Sequence, residues 1–156
     1  AGGWASTTSG CTAAAQVETS GSKVNYYNLA FAQSVQSYAE WDLAMPSDYD
    51  GGTITAVFYW LATSASTNSV VWGCAGRCFG DNEAIDQAFG TAIEVTDANN
   101  ATGVVNISSA TAAITLAGTP AASEHVQLRV YRLGSGADNL AATANMLEVR
   151  VTYTRS

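Results

Sequence analysis

Leu147-Glu148-Val149-Arg150-Val151-Thr152-Tyr153 decides the fold class. Successive side chains of an extended chain point to opposite sides, so Leu147, Val149, Val151 and Tyr153 share one face while Glu148, Arg150 and Thr152 share the other. One face suits a core and one suits water, the pattern of a strand in an antiparallel sheet. Val126-Gln-Leu-Arg-Val-Tyr131 repeats it, with Val126, Leu128 and Val130 opposed to Gln127, Arg129 and Tyr131. Between the two lies Gly134-Ser-Gly-Ala-Asp-Asn139, whose residues favour turns. The expectation is an antiparallel pair with Arg129 or Arg132 facing Glu148.

Working towards the N-terminus, residues 53–62 are rich in β-branched and aromatic side chains, with Ile54, Phe58 and Trp60 on one face and Val57, Tyr59 and Leu61 on the other. Both faces are apolar enough to be at least partly buried. Further strands are expected at 13–18, 24–31, 38–45, 69–79, 91–96, 103–108 and 112–117, separated by clusters of Gly, Asn, Asp, Ser or Pro. One short helix is expected at 81–89, where Asp81-Asn-Glu83 supplies a capping signal and Ala84, Ile85, Ala88 and Phe89 an apolar face of about two turns. About nine or ten short strands at regular spacing predict an all-β fold, an antiparallel two-sheet sandwich of jelly-roll type. The small-residue segment 1–22 is expected as an extended N-terminal arm, and 23–156 as the sandwich domain.

Composition narrows the partners. A chain of 156 residues at 47% hydrophobic is about one domain, long enough to bury a core without cross-links. Thirteen acids against six bases give a net charge of -7, which repels a phosphate backbone and excludes nucleic acid as the expected partner. No apolar run approaches the roughly 18 residues of a membrane span, and Ala-Gly-Gly-Trp-Ala-Ser at the start lacks the basic and apolar regions of a signal peptide. The chain reads as a mature product with no membrane partner. Abundant Ala, Ser, Thr, Gly and Asn with only 12% charged residues fits extracellular or particle-surface β proteins.

Reactive chemistry is sparse. The one histidine, His125, begins a strand on the face of Gln127 and Arg129 and has no neighbouring nucleophile, so it reads as a surface residue. Glu40 and Asp42 share a face, as a glycan-cleaving carboxylate pair would, but oppose Trp41 and Leu43 and read as a solvated strand surface. Asp48-Tyr-Asp50 and Asp81-Asn-Glu83 are acidic turns, neither a full calcium loop. Asn100-Ala-Thr102 and Asn106-Ile-Ser108 have the form of glycosylation acceptors, which arise often by chance in such a composition. No catalytic, metal-binding or cofactor-binding residues are assigned, and the expectation is a non-enzymatic protein.

Two residue sets remain as candidates. Cys11, Cys74 and Cys78 are odd in number. In one unbroken strand Cys74 and Cys78 stand about 13 Å apart, beyond the roughly 7 Å reach of a disulfide. Three reduced thiols are one reading; the other is a disulfide from Cys11 in the arm to Cys74 or Cys78, within the chain or to a neighbouring subunit. Among the aromatic residues, Trp41 and Trp60 alternate with core neighbours, which leaves Trp4, Tyr49 and Tyr131 as candidates for stacking on a glycan.

Met45-Pro-Ser-Asp-Tyr-Asp-Gly-Gly-Thr-Ile-Thr-Ala-Val-Phe-Tyr-Trp60, then Val71-Trp-Gly73, Arg77 and residues 81–90, resemble uncharacterised structural proteins of tailed bacteriophages. Thr115-Leu-Ala-Gly-Thr-Pro120, Gln127-Leu-Arg-Val-Tyr-Arg132 and the closing strand resemble the same family in the same order, so the likeness covers 38–154. It implies a virion component, a β-sandwich displayed on a head, neck or fibre, commonly as a homotrimer in contact with other virion proteins. Residues 1–37 and the cysteines depart from that pattern, which puts the attachment site in doubt. The alternative expectation is a carbohydrate-binding module for host-surface glycans.

Overall fold

The computed structural model describes residues 2–156. Ten strands follow one another: β1 (Trp4–Ala5), β2 (Thr12–Glu18), β3 (Asn25–Phe31), β4 (Ser37–Ala44), β5 (Tyr49–Ala62), β6 (Ser69–Phe79), β7 (Ile93–Ala98), β8 (Asn106–Ile107), β9 (His125–Arg132) and β10 (Ala144–Arg155). They form a front sheet, β1-β4-β9-β6-β7, and a back sheet, β2-β3-β10-β5-β8, of five strands each. Every strand pairing in the two sheets is antiparallel.

The order has a simple origin. β3 pairs β10, β4 pairs β9, β5 pairs β8 and β6 pairs β7, so residues 25–155 form one long nested hairpin. Rolling it brings β10 against β5 and β9 against β6, which closes a jelly roll of two packed sheets. The all-β, jelly-roll sandwich expected from alternation is the observed fold.

The two inner faces interlock on aromatic rings. Trp72 of the front sheet meets Phe31, Phe58 and Trp60 of the back sheet at centroid distances of 5.1, 6.0 and 6.0 Å. Such contacts each add about 0.5–1.5 kcal/mol to the burial of apolar area. In β10 the inward residues change phase, from Ala144 and Met146 to Val149, Val151 and Tyr153. A bulge between Met146 and Glu148 absorbs the extra residue, so Leu147 leaves the core-facing set in which simple alternation placed it.

Several expectations are corrected. The strands at 126–131 and 147–153 do not pair with each other: β9 lies in the front sheet and β10 in the back sheet. Residues 133–143 cross between the sheets, so Arg129 faces Glu40 and Arg132 binds Asp138, and neither meets Glu148. Residues 81–89 form an irregular exposed loop and no helix, because two turns with Asn82 at positive φ (65°) cannot hold a helix without a face to bury. The strand expected at 103–108 shrinks to Asn106–Ile107, and that at 112–117 to isolated bridges Ile54–Ile114 and Arg77–Ala117.

Residues 2–18, within the segment 1–22 expected as an arm, supply one edge strand of each sheet. β1 pairs with Glu40 and Ala39 of β4, Gly10 bridges to Tyr38, and β2 runs along β3. Gly3 lies so close to Trp41 that an added Cβ would stand 2.3 Å from the indole, so only glycine permits this crossing. Cys11 follows, buried in the core cluster.

Candidate functional site

The outer surface of the front sheet gathers the polar and aromatic side chains that the sequence singled out. Directly paired residues of an antiparallel sheet share a face. The register therefore sets Trp4, Glu40 and Arg129 in one row, Tyr38 and Tyr131 in the next, and Asp42, Gln127 and Arg77 on the other side.

Glu40 is the centre of this surface. Its carboxylate accepts hydrogen bonds from Ser6 Oγ at 3.0 Å, Gln127 Nε2 at 2.9 Å, and Arg129 Nε and Nη2 at 3.1 and 2.9 Å. The Arg129 guanidinium also lies 4.3 Å from the Phe89 ring centroid and 5.6 Å from that of Tyr38. Arg77 donates to the Ala88 carbonyl at 3.0 Å and to Gln87. Two arginines thus hold the loop 81–89 on the sheet. Glu40 is an ion-paired joint of this surface, and Asp42 instead faces His125 at 3.7 Å.

The structure separates the three glycan-stacking candidates. Trp4 is 41% exposed at the edge of this face. Tyr131 is on the same face but only 8% exposed; its ring lies over Gly73, and its hydroxyl donates to Glu94 at 2.7 Å. Burial and that hydrogen bond raise its pKa well above the usual phenol value. Tyr49 is 3% exposed, a core residue that packs on Tyr153 and donates to the Gly52 carbonyl. Tyr49 and Tyr131 are therefore not open stacking platforms, because both rings are consumed by packing.

The cysteines are likewise interior. All three are unbonded and belong to the core cluster, with Cys74 and Cys78 on β6 opposite Val130 and Val126. Of the two readings offered for Cys11, Cys74 and Cys78, the structure has three free, buried thiols, and no disulfide joins Cys11 to Cys74 or Cys78. Desolvation lifts the thiols of Cys11 and Cys78 to about 11 and that of Cys74 to about 12. Cys78 donates to Glu124 Oε2 at 3.0 Å, and this contact raises its value further.

The acidic turns have structural partners. Asp48 accepts from Tyr153 Oη at 2.9 Å and pairs with Arg155, Asp50 caps the Gly52 N–H, and Asp81 accepts from Asn82. Among the described residues no three His, Cys, Asp or Glu side chains are grouped to hold a metal ion. Asn106, the second glycosylation candidate, is fully buried, donating to Asn99 Oδ1 and accepting from Asn100. Asn99 in turn ties the loop containing Ser64 and Ser66.

The back sheet carries a different kind of surface. Ile107 pairs with Tyr59 and shares its outward face, and Val104, Val105 and Ile107 are 39%, 53% and 58% exposed. Sequence reasoning missed this patch because 103–108 was read as an ordinary strand. Its signal was the run Val104-Val105-Asn106-Ile107, three aliphatic side chains in four residues at a two-residue edge strand.

Fold and surface together define a jelly-roll β-sandwich. No family model matches the chain, and no curated protein does. Among solved structures it is similar to TmCBM61 in complex with β-1,4-galactotriose, at a TM-score of 0.46 and 8% identity, over 97% of this chain and 87% of that one.

Proposed function

We propose that this protein is a non-enzymatic structural component of a tailed-phage virion, a homo-oligomer displayed on the head, neck or a fibre and held there by contacts with other virion proteins. The observation that carries the reading is the aliphatic patch Val104, Val105 and Ile107. Three large apolar side chains exposed within four residues support a protein contact surface there. The family resemblance over 38–154 and the low charge density support the same setting. The ion-paired Glu40 also fits a surface that binds without transforming.

Purified virions test it. The chain should be present at a fixed ratio to other particle proteins. A variant carrying Val105→Asp and Ile107→Asp should fold with native aromatic fluorescence and fail to incorporate. Absence of the chain from purified particles would sink the reading.

A second reading is carbohydrate binding on the front sheet, favoured by the exposed indole of Trp4 beside the Glu40–Arg129 pair. Planar polar groups next to an aromatic face are what a sugar ring uses for hydrogen bonds and stacking. Glycan-array binding that Trp4→Ala abolishes would favour it over the virion role.

A further inference from the structure

Asp50-Gly51 is the only Asp-Gly step in the chain, and no Asn is followed by Gly. An aspartyl carboxyl can be attacked by the main-chain nitrogen of the residue after it, and glycine, with no side chain, shields that nitrogen least. A regular strand suppresses the reaction, because it holds the side chain roughly perpendicular to the sheet and away from the next peptide. The fold lifts that restraint at this step. β10 places Arg155 opposite Tyr49 and Tyr153 opposite Ile54, so the four residues 50–53 stand against Thr154 alone and bulge from the ladder. Gly51 takes a positive φ of 80°, and it is half-buried between the exposed residues Asp50 and Gly52.

The carboxyl is turned towards its target. Asp50 Oδ1 accepts from the Gly52 N–H at 2.8 Å. A Cβ added to Gly52 would stand 2.9 Å from that oxygen and 3.4 Å from Asp50 Cγ, so the carboxyl folds forward along the chain, towards the Gly51–Gly52 peptide. Flanking anchors keep it there. Tyr49 is 3% exposed and its hydroxyl donates to the Gly52 carbonyl, while Asp48 accepts from Tyr153 Oη and pairs with Arg155. Two groups already held beside each other give up less freedom on the way to reaction.

We propose that Asp50-Gly51 is a self-modification site, at which the folded chain isomerises Asp50 to isoaspartate through a cyclic imide. The Gly51 nitrogen forms a bond to Asp50 Cγ, and the oxygen displaced from the protonated carboxyl leaves as water, taking the amide proton with it. The ring then takes up one water. Cleavage at Cγ restores aspartate; cleavage at the main-chain carbonyl carbon leaves the chain running through the side chain, with a free α-carboxylate. Nothing is oxidised or reduced, and water is the only co-reactant. The isomer adds one methylene to the main chain between Tyr49 and Gly51, so the Tyr49–Gly52 hydrogen bond loses its geometry.

The intact folded chain, held for several weeks at mildly acidic pH, tests this. Isoaspartyl groups are counted by methyl transfer with protein isoaspartate methyltransferase and located by fragmentation mass spectrometry of the digest. Asp50 should convert at least tenfold faster than Asp48 or any other Asp, through a transient species lighter by one water. Conversion should be at least as fast as in the same chain unfolded in guanidinium. Asp50→Glu, which would need a six-membered ring, should abolish the signal with an unchanged circular dichroism spectrum; if that variant does not fold, the site map of the wild type decides alone. No isoaspartyl at Asp50, isoaspartyl spread evenly over several Asp residues, or slower conversion in the folded chain than in guanidinium each overturns the proposal.

Discussion

Arg132 and Asp138 form a fully buried ion pair where the chain leaves the front sheet for the back sheet. Arg132 Nη2 is 2.8 Å from Asp138 Oδ1, and both side chains are entirely inaccessible. The guanidinium also donates to the carbonyls of Phe31, Leu140 and Ala142, and Asp138 accepts from the N–H groups of Val71 and Gly134. Every one of these partners is backbone at one end of the sandwich, drawn from both sheets and from the crossover between them. The pair thus fixes the crossover that sends β10 to the back sheet.

Breaking the pair should therefore unfold more than a loop. Removing one partner of a buried ion pair leaves an uncompensated charge and costs about 3–5 kcal/mol. Asp138→Ala is expected to lower the urea midpoint by a corresponding amount, with native secondary structure retained in the absence of denaturant. A midpoint within about 1 kcal/mol of wild type, on the scale of a surface pair, would show that water reaches the guanidinium.

The pair also shows how far the sequence could be read. Alternation placed Val126, Leu128 and Val130 on the core face, and Arg132 is in phase with them. The same phase that buries Arg132 was overlooked when it was set to face Glu148, and its partner was not legible, since the loop 134–139 carried only turn signals. Strand existence was local information, which is why β3, β4, β6, β9 and β10 fall where alternation put them. Partnership was not local: Asn28 bonds Asn145 across 117 residues, and nothing in either strand names the other. At the front surface, Glu40 was recognisable as an outward residue of its strand, and Trp4 as an exposed aromatic, though of an arm and not of the edge strand it occupies. That Tyr131 lies flat on Gly73 depends on which strand neighbours β9, a fact no single strand contains.

Thiol accessibility follows from the interior cysteines. With pKa values raised to about 11 and 12, the thiols carry almost no thiolate at pH 8, and burial excludes reagent. Ellman's reagent should leave all three unmodified in the native protein over minutes and react with three per chain in guanidinium. Rapid native labelling of any one, or a dimer band on a non-reducing gel of the wild type, would contradict the buried placement.

Asp97 offers a test by pH. Trp60 Nε1 donates to its Oδ2 at 2.7 Å across the two sheets, yet burial outweighs that bond and raises the Asp97 pKa above 3.8. Between 3.8 and the raised value the folded state binds more protons than the unfolded state, so stability falls as pH rises through that interval and is level above it. Asp97→Asn keeps an acceptor for the indole and removes the titration, so it should be at least as stable as wild type at pH 7 and lack that slope. Asp97→Leu leaves the buried Trp60 N–H unpaired and should cost about 1–3 kcal/mol. Equal stability of the Asn and Leu variants would show that the cross-sheet bond contributes nothing.

Gly73 and Tyr131 are the most direct test of the front surface. A Cβ at residue 73 would lie 2.2 Å from Tyr131 Cζ, so the ring must move if any side chain is placed there. Moving it breaks the Tyr131–Glu94 hydrogen bond and disturbs the tilted contact with Tyr38 at 5.7 Å. Overpacking of this kind costs about 1–3 kcal/mol. Gly73→Ala should therefore destabilise by that amount, and most of the loss should vanish in a Tyr131→Ala background, where the obstacle is gone. The coupling between the two changes is the informative quantity, because residues in contact depart from additivity while separate ones do not. Additive effects in the cycle would mean that the Tyr131 ring does not rest on residue 73, and the row of aromatic and charged groups on this sheet would have to be rebuilt from a different register.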